Sequence, residues 1–318
     1  MAIIRPSGGA TMGLRNAIMA IPFVKDTRFD YGALERLSPL VSRVVADNPG
    51  PFTYTGTGVF IIGAGDSVCV IDPGPLSANH VAAIDRALAG KTVSHIFVTH
   101  HHLDHCPLAA PLAAKHGCKV YGLSPHSAPY GDDALPLEAG DDLSFKPDIE
   151  IRDGDIFNGP DWTLTALHTP GHTSNHICFA LAEENCLFSG DHIMGWSTSV
   201  ISPPDGDMGD YLASLDRVLD RDFDIIRPTH GAPITDVRPF VQAYIDHRLA
   251  REAQIMSAIH GGMETISDIV AALYQHVDKR LHPAAAHSVL SHIIHMRKTG
   301  RVTAEGPDGL RQTYTAAI

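Results

Sequence analysis

Five of the six residues in the run His100-His101-His102-Leu103-Asp104-His105 carry imidazole or carboxylate groups. Neutral imidazoles and ionised carboxylates are the donors that a borderline divalent cation such as zinc takes. The spacing H-x-H-x-D-H lets the run divide between two ions, with His100 and His102 toward one and Asp104 and His105 toward its neighbour. The run follows Ile96-Phe97-Val98-Thr99, an apolar, β-branched and aromatic stretch that reads as a buried strand delivering side chains to its rim. Taken alone, such a tract fits a histidine-rich surface loop equally well. Three downstream segments break the tie: Thr169-Pro170-Gly171-His172-Thr173, Leu187-Phe188-Ser189-Gly190-Asp191, and Ile225-Ile226-Arg227-Pro228-Thr229-His230-Gly231. Each closes an apolar strand pattern with one metal-type donor beside a glycine that allows a tight bend. Four such elements in one chain predict a site assembled on one edge of a sheet framework.

The set His100, His102, Asp104, His105, His172, Asp191 and His230 resembles, in order and approximate spacing, the full ligand pattern of the metallo-β-lactamase superfamily. That resemblance implies His100, His102 and His172 around one ion and Asp104, His105 and His230 around a second, with Asp191 bridging both. It also implies a four-layer αββα sandwich. Within the superfamily the chain is similar to the β-lactamase-like protein 2 family, through Asn48-Pro49-Gly50-Pro51-Phe52-Thr53, Gly56-Thr57, Ile71-Asp72-Pro73-Gly74, Phe188-Ser189-Gly190-Asp191, and Tyr244 with His247-Arg248. The likeness runs from about Leu37 to the C-terminus. Two departures alter the rim of the site without removing a ligand: His101 stands where the family more often has an aromatic residue, and Cys106-Pro107-Leu108 replaces a small, glycine-rich helix start.

The elements that must position these residues can be read from periodicity. Strand patterns fall at 58–62, 67–71, 95–99, 119–121, 163–167, 177–181, 186–188 and 224–226, and helical patterns at 78–89, 107–116 and 208–220. Strands interleaved with helices give an α/β fold of two packed sheets with helices outside. Residues 1–36 show no clear period and read as an arm that packs on the domain or on a second copy in a homo-oligomer. The domain proper is expected over 37–237. The acidic, proline-bearing stretch 123–147 reads as a lid over the site, since long structureless loops in compact domains are usually functional or disordered. From 238 to 318 the pattern is helical: 240–260, then 266–274 capped by Thr265, then 284–298 opened by Pro283, with a small hairpin from 301–304 and 312–316. Three helices and a hairpin resemble a winged helix, with Arg297, Lys298 and Arg301 as a basic tip, for which packing is as good a role as nucleic-acid contact.

The chain has 318 residues, 44% hydrophobic and 19% charged, the composition of an ordinary globular protein. A net charge of −12 argues against broad nucleic-acid binding, which rests on cationic surface. No apolar run reaches membrane-spanning length and nothing resembles a signal peptide, so a cytoplasmic protein with no membrane partner is expected. Five cysteines, four of them in or beside strand patterns, read as reduced core thiols, with Cys106 packing beside His105.

Two divalent ions a few Å apart lower the pKa of a shared water to about 7 and stabilise a developing oxyanion. The expectation is therefore a binuclear hydrolase using a metal-bound hydroxide, with zinc as the ion and manganese or iron accepting the same donors. Asp104 is the candidate for orienting the water and taking its proton. His176, His168 and His192, which flank the ligands, are candidates for supporting them or touching substrate. The β-lactamase-like protein 2 resemblance implies an endoribonuclease on single-stranded RNA. Glyoxalase II-like relatives with the same ligand set imply hydrolysis of a small-molecule ester, thioester or lactone.

Overall fold

The computed structural model describes residues 21–126, 140–275 and 277–317. Most of the stretch read as an arm (1–20) and of that read as a lid (127–139) lies outside the described residues. The first sheet contains β1 (Leu34–Arg36), β2 (Val41–Val45), β3 (Gly58–Ile62), β4 (Ser67–Ile71), β5 (Thr92–Phe97), β6 (Lys119–Gly122) and β7 (Ile149–Glu150), paired in that order. Helix α1 (Ala78–Ala87) joins β4 to β5 and α2 (Ala109–His116) joins β5 to β6. These crossovers make β4, β5 and β6 parallel. The second sheet has β8 (Ile156–Asn158), β9 (Thr163–His168), β10 (Ile177–Leu181), β11 (Cys186–Gly190) and β12 (Ile225–Pro228), again in order, with α3 (Met208–Leu219) between β11 and β12.

Alternation along the strands explains the layers. Val59, Ile61, Val68 and Val70 pack under α1 and α2, while Phe60, Ile62, Cys69 and Ile71 turn the other way. There they meet Leu164, Ala166, Phe179, Leu181 and Phe188 of the second sheet, with Phe60 and Phe188 rings 4.9 Å apart. Leu167, Cys178, Ala180 and Leu187 form the second sheet's outer face, under α3 and the following helix α4 (Val237–His260). Both faces of each sheet are thus covered, so central strands are buried at every position. The result is the four-layer αββα sandwich.

Four strands escape the sequence pattern. Leu34–Arg36, inside the segment read as an arm, is an edge strand on β2; Val41–Val45 pairs on both sides; Ile149–Glu150 and Ile156–Asn158 extend the outer edges. Edge strands of two or three residues bury too little to show an apolar alternation. The rest of the described arm also packs: Phe23 lies edge-on to Phe240 and Tyr244, with 6.0 Å between ring centres in each pair.

Helix α4 is 24 residues long because it serves two cores. Its first half gives Val237, Phe240, Val241 and Tyr244 to the layer beneath the second sheet. Its second half gives Ile255 and Ile259 to a separate cluster with α5 (Ile266–Leu273), α6 (His282–Lys298) and the hairpin β13 (Val302–Thr303) and β14 (Thr315–Ala316). This is the winged-helix arrangement, and Thr265 caps α5 by accepting from the Asp268 amide.

A buried ion cluster ties this module together. Glu252 of α4 accepts from His295 at 2.6 Å and from Arg301 at 2.8 Å, with His292 at 3.7 Å. Burial alone would raise its carboxyl, but the neighbouring His292 and the hydrogen bonds from His295 and Arg301 prevail and bring it from 4.5 down to about 2. A depressed folded pKa stabilises fully above the unfolded value and is lost as pH falls through the folded one. Glu252→Gln is accordingly expected to lower stability by roughly 3 kcal/mol near neutral pH. The deficit should shrink as pH falls from 4.5 toward 2. Urea denaturation of wild type and variant across that range reads it, and a deficit independent of pH would refute the ion-cluster account.

Candidate metal centre

Parallel pairing collects the donor-bearing turns. Strands β4 and β5 run the same way, as do β9, β11 and β12. Asp72 follows β4, the histidine run follows β5, His172 follows β9, Asp191 follows β11 and His230 follows β12. All therefore leave the same ends of their sheets. Gly190 has a left-handed φ of 51°, and a Cβ there would lie 2.6 Å from His176 Nε2. Only glycine turns the chain into Asp191 at that point.

The seven expected ligands come together, each buried. Donor atoms of His100, His102 and His172 lie within 4.8 Å of one another, as do those of Asp104, His105 and His230. Asp191 stands between the two groups. Its Oδ1 is 3.6 Å from His105 Nε2 and 3.4 Å from His230 Nε2, while its Oδ2 is 4.0 Å from His172 Nε2. Asp104 Oδ2 is 3.0 Å from His230 Nε2 and 3.3 Å from His105 Nε2.

Neighbouring groups fix which nitrogen of each ring faces inward. His172 Nδ1 donates to the Val200 carbonyl at 2.7 Å, and His230 Nδ1 to the Gly56 carbonyl at 3.0 Å. His105 Nδ1 donates to Asp72 Oδ2 at 2.9 Å. The Nε2 atoms of these rings are left to the site. His102 Nε2 sits 3.0 Å from Asp141 Oδ1, which turns Nδ1 toward His100.

The electrostatics call for cations. Burial, then the facing rings of His105, His102 and His172, hold the His100 imidazole well below its usual value, so it is a neutral donor. Burial also opposes charge on His230, but Asp191 and Asp104 overcome it and raise that ring to about 10. Asp191 is held far down, against burial, by His230 and His105. Buried His105 Nε2, His230 Nε2 and Asp191 Oδ1 make no hydrogen bond of good geometry. Five imidazoles and two carboxylates so arranged fit two divalent ions, with Asp191 offering one oxygen to each half.

The three flanking histidines have other places. His176 is buried, its Nδ1 against Thr169 Oγ1 at 2.9 Å and its Nε2 accepting the Asp191 amide at 3.2 Å. It supports Asp191 from beneath. His168 Nε2 donates to the Ser174 carbonyl at 3.1 Å, bracing the turn that carries His172. His192 packs 4.9 Å from the Tyr211 ring, and burial pushes it down to about 3. His101 contacts Asn175 Oδ1 at 2.9 Å, inside the protein. Cys106 is buried against the His101 carbonyl, and burial raises its thiol, as expected of a packing group.

Sequence reasoning missed three contributors. Asp72 obeys the same strand-then-carboxylate grammar as the ligands, and that was its available signal. Asp141, in the acidic stretch after 126, is brought in because Leu103 donates its amide to the Gly140 carbonyl and Asp142 donates its own to the His101 carbonyl. The third is the segment 194–200, which has no period. It forms the wall of a cavity of about 180 Å³ opposite His102, Asp104, His172 and Asp191, with Met194, Trp196 and Val200 facing inward. Helix α4 fixes this wall. The Tyr244 hydroxyl accepts the Met194 amide and lies 2.6 Å from the Ser197 carbonyl, and Arg248 donates to the Ser199 carbonyl.

The model of the metallo-beta-lactamase superfamily matches residues 55–230, and that of the beta-lactamase associated winged helix domain matches 265–309. An atrochrysone carboxyl ACP thioesterase of Aspergillus chevalieri is 31% identical over 272 residues, covering 82% of this chain and 82% of the relative. A beta-lactamase-like protein 2 homolog of Drosophila melanogaster is 30% identical over 280 residues, covering 85% and 92%. The crystal structure of a beta-lactamase domain protein from Burkholderia ambifaria superposes with a TM-score of 0.74 at 21% identity, covering 92% of this chain and 96% of that one. With the fold, the paired donor clusters and these matches in agreement, the chain belongs to the metallo-beta-lactamase superfamily and is one of its metal-dependent hydrolases.

Proposed function

We propose that the chain hydrolyses the thioester or lactone of a small molecule, with the seven residues above holding two zinc ions. The carrying observation is the cavity at the Asp104–Asp191 edge, partly enclosed and walled by Phe52, Met194, Trp196 and Val200, which suits an apolar acyl group. The relatives named as thioesterases support the same chemistry. Single-stranded RNA is the weaker reading, because the expected basic tip is already engaged. Arg297 pairs with Asp308 at 2.5 Å, Arg301 with Glu252 at 2.8 Å, and Lys298 with Asp207 at the start of α3. Lys298 thus ties the winged-helix module to the catalytic layers, Arg297 and Arg301 are held within the module, and the tip offers phosphate little free charge. No described helix is long and apolar enough to cross a membrane. Five free thiols support a cytoplasmic site of action.

The ions, when bound, supply Lewis acidity and acidify water. The chain's own residues do the rest. Asp104 lies at the cavity edge beside His230, placed to take the proton of the attacking water at its carboxylate. Asp72 and Asp141 hold His105 and His102 in register. The side chains of Phe52 and Trp196 limit water around the acyl group. In the reaction the carbonyl carbon gains the oxygen of one water and the carbon–sulfur or carbon–oxygen bond breaks. One water proton ends on the leaving sulfur or oxygen and the other leaves the new acid.

Metal-loaded protein is expected to release thiol from an acyl thioester, followed with a chromogenic thiol reagent, while leaving labelled single-stranded RNA intact. Asp104→Ala should lose at least about 10²-fold in rate. RNA cutting that disappears in Asp104→Ala, without thioester hydrolysis, would replace this reading with the ribonuclease.

A further inference from the structure

The segment 200–207 joins the cavity wall to α3 and has no helix or strand of its own. It wraps the turn that carries His172. The Val200 carbonyl accepts from His172 Nδ1 at 2.7 Å. Asp205 accepts the Ser174 amide at 3.1 Å and the Ser174 hydroxyl at 2.5 Å. The Asp207 amide donates to the Gly171 carbonyl at 2.9 Å, and a Cβ on Gly206 would stand 3.1 Å from the His172 carbonyl oxygen. The direction of the His172 ring thus follows from where this irregular stretch lies.

Ordering such a stretch costs conformational entropy, so it needs partners that hold it. Helix α6 of the winged-helix module supplies two. Buried His287 has its Nδ1 3.3 Å from Ser202 Oγ. Lys298 pairs with Asp207 Oδ2, while Asp207 Oδ1 caps α3 by accepting the Asp210 amide at 3.0 Å. His287 and Lys298 are about three turns apart and share one face of α6. Arg248 of α4 holds the preceding residue, Ser199, by its carbonyl. The half formed by Asp104, His105 and His230 is braced differently, through Asp72 on His105 and the Gly56 carbonyl on His230.

We infer that the winged-helix module positions one of the two ions, with Lys298 and His287 as positioning residues that act through segment 200–207 on His172. This rests on the ligand reading above. When α6 lets the segment go, the Val200 carbonyl no longer holds Nδ1, the ring can turn, and Nε2 meets the ion of His100 and His102 less of the time. The other half keeps its own braces and its own ion.

Stepwise zinc affinities of the full chain, measured by competition with a chromophoric chelator, test this. Lys298→Glu sets a second carboxylate against Asp207, and it should weaken one ion by about fivefold and leave the other nearly unchanged. Adding His287→Ala should deepen the same loss. Lys298→Arg should keep both wild-type affinities. So should Arg297→Ala, which removes a neighbouring charge that is paired with Asp308 inside the module. Chemical denaturation in excess chelator should place the Lys298→Glu midpoint close to that of wild type, because an exposed pair contributes little to global stability. Two affinities lowered alike in Lys298→Glu, or neither lowered in the double variant, would overturn the inference while leaving the ligand set intact. Wild type that takes up fewer than two ions would overturn the ligand reading as well.

Discussion

Asp191→Ala is expected to purify with fewer than two equivalents of divalent metal and to lose about 10³-fold or more in kcat/KM. The reason lies in its two oxygens, one turned to His105 and His230 and the other to His172. Two dications would face two carboxylates here, Asp104 and Asp191. Removing one leaves a single negative charge for both ions in a site shielded from water, where their mutual repulsion is poorly screened. The variant should stay folded, because Asp191 ends a strand whose packing comes from Cys186, Leu187 and Phe188. Elemental analysis of the purified protein, with thiol release in parallel, reads both effects. Two retained equivalents with activity within tenfold of wild type would remove Asp191 from the bridging position.

That these seven donor groups would gather in one place was legible because every one of them sits where an apolar strand stops. A strand rim is a place that sequence marks twice, by the end of the β-branched run and by the glycine of the turn. His230 shows the logic: Ile225 and Ile226 define the strand, and Gly231, with a φ of 93°, marks the bend. Asp72 carried the same marks, but its partners, Thr99, His105 and Thr229, are distant in sequence and gave it no visible role. The cavity wall was hidden for a different reason. Met194 and Trp196 lie in a segment shaped by Tyr244 and Arg248 some 50 residues on, and no local period encodes such a clamp. The basic tip shows the opposite fault, since its residues left packing and nucleic-acid contact both open. Arg297, Lys298 and Arg301 are close in sequence and look like one patch, yet each finds a different carboxylate of its own chain. Charge clusters read from sequence omit the partners that folding brings to them.

Asp72→Asn should weaken metal binding by about 10- to 100-fold while costing little of the fold. Asp72 is fully buried and has a left-handed φ of 48° just after β4. Its Oδ1 accepts the Thr99 amide at 2.7 Å, and its Oδ2 accepts the Thr99 hydroxyl at 2.8 Å and His105 Nδ1 at 2.9 Å. Asparagine tolerates a left-handed backbone and keeps the shape. Its carbonyl oxygen can still accept the Thr99 amide, but its NH₂ group then points at His105 Nδ1. The ring must yield its Nδ1 proton and carry it on Nε2, the atom that faces Asp104 and Asp191. A ligand nitrogen that bears a proton is lost to the ion. Asp72→Ala removes the acceptor outright and strands four buried donors, the Thr99 amide and hydroxyl, His105 Nδ1 and the Thr229 hydroxyl, so it should destabilise the protein by about 3–5 kcal/mol as well. Competition with a chromophoric chelator measures the affinity, and chemical denaturation in excess chelator measures the fold without the ions. The two variants then separate the roles: equal metal affinity in Asp72→Asn and wild type would mean that Asp72 only fills space, whereas weak binding with an intact fold would mean that this carboxylate sets the tautomer of His105.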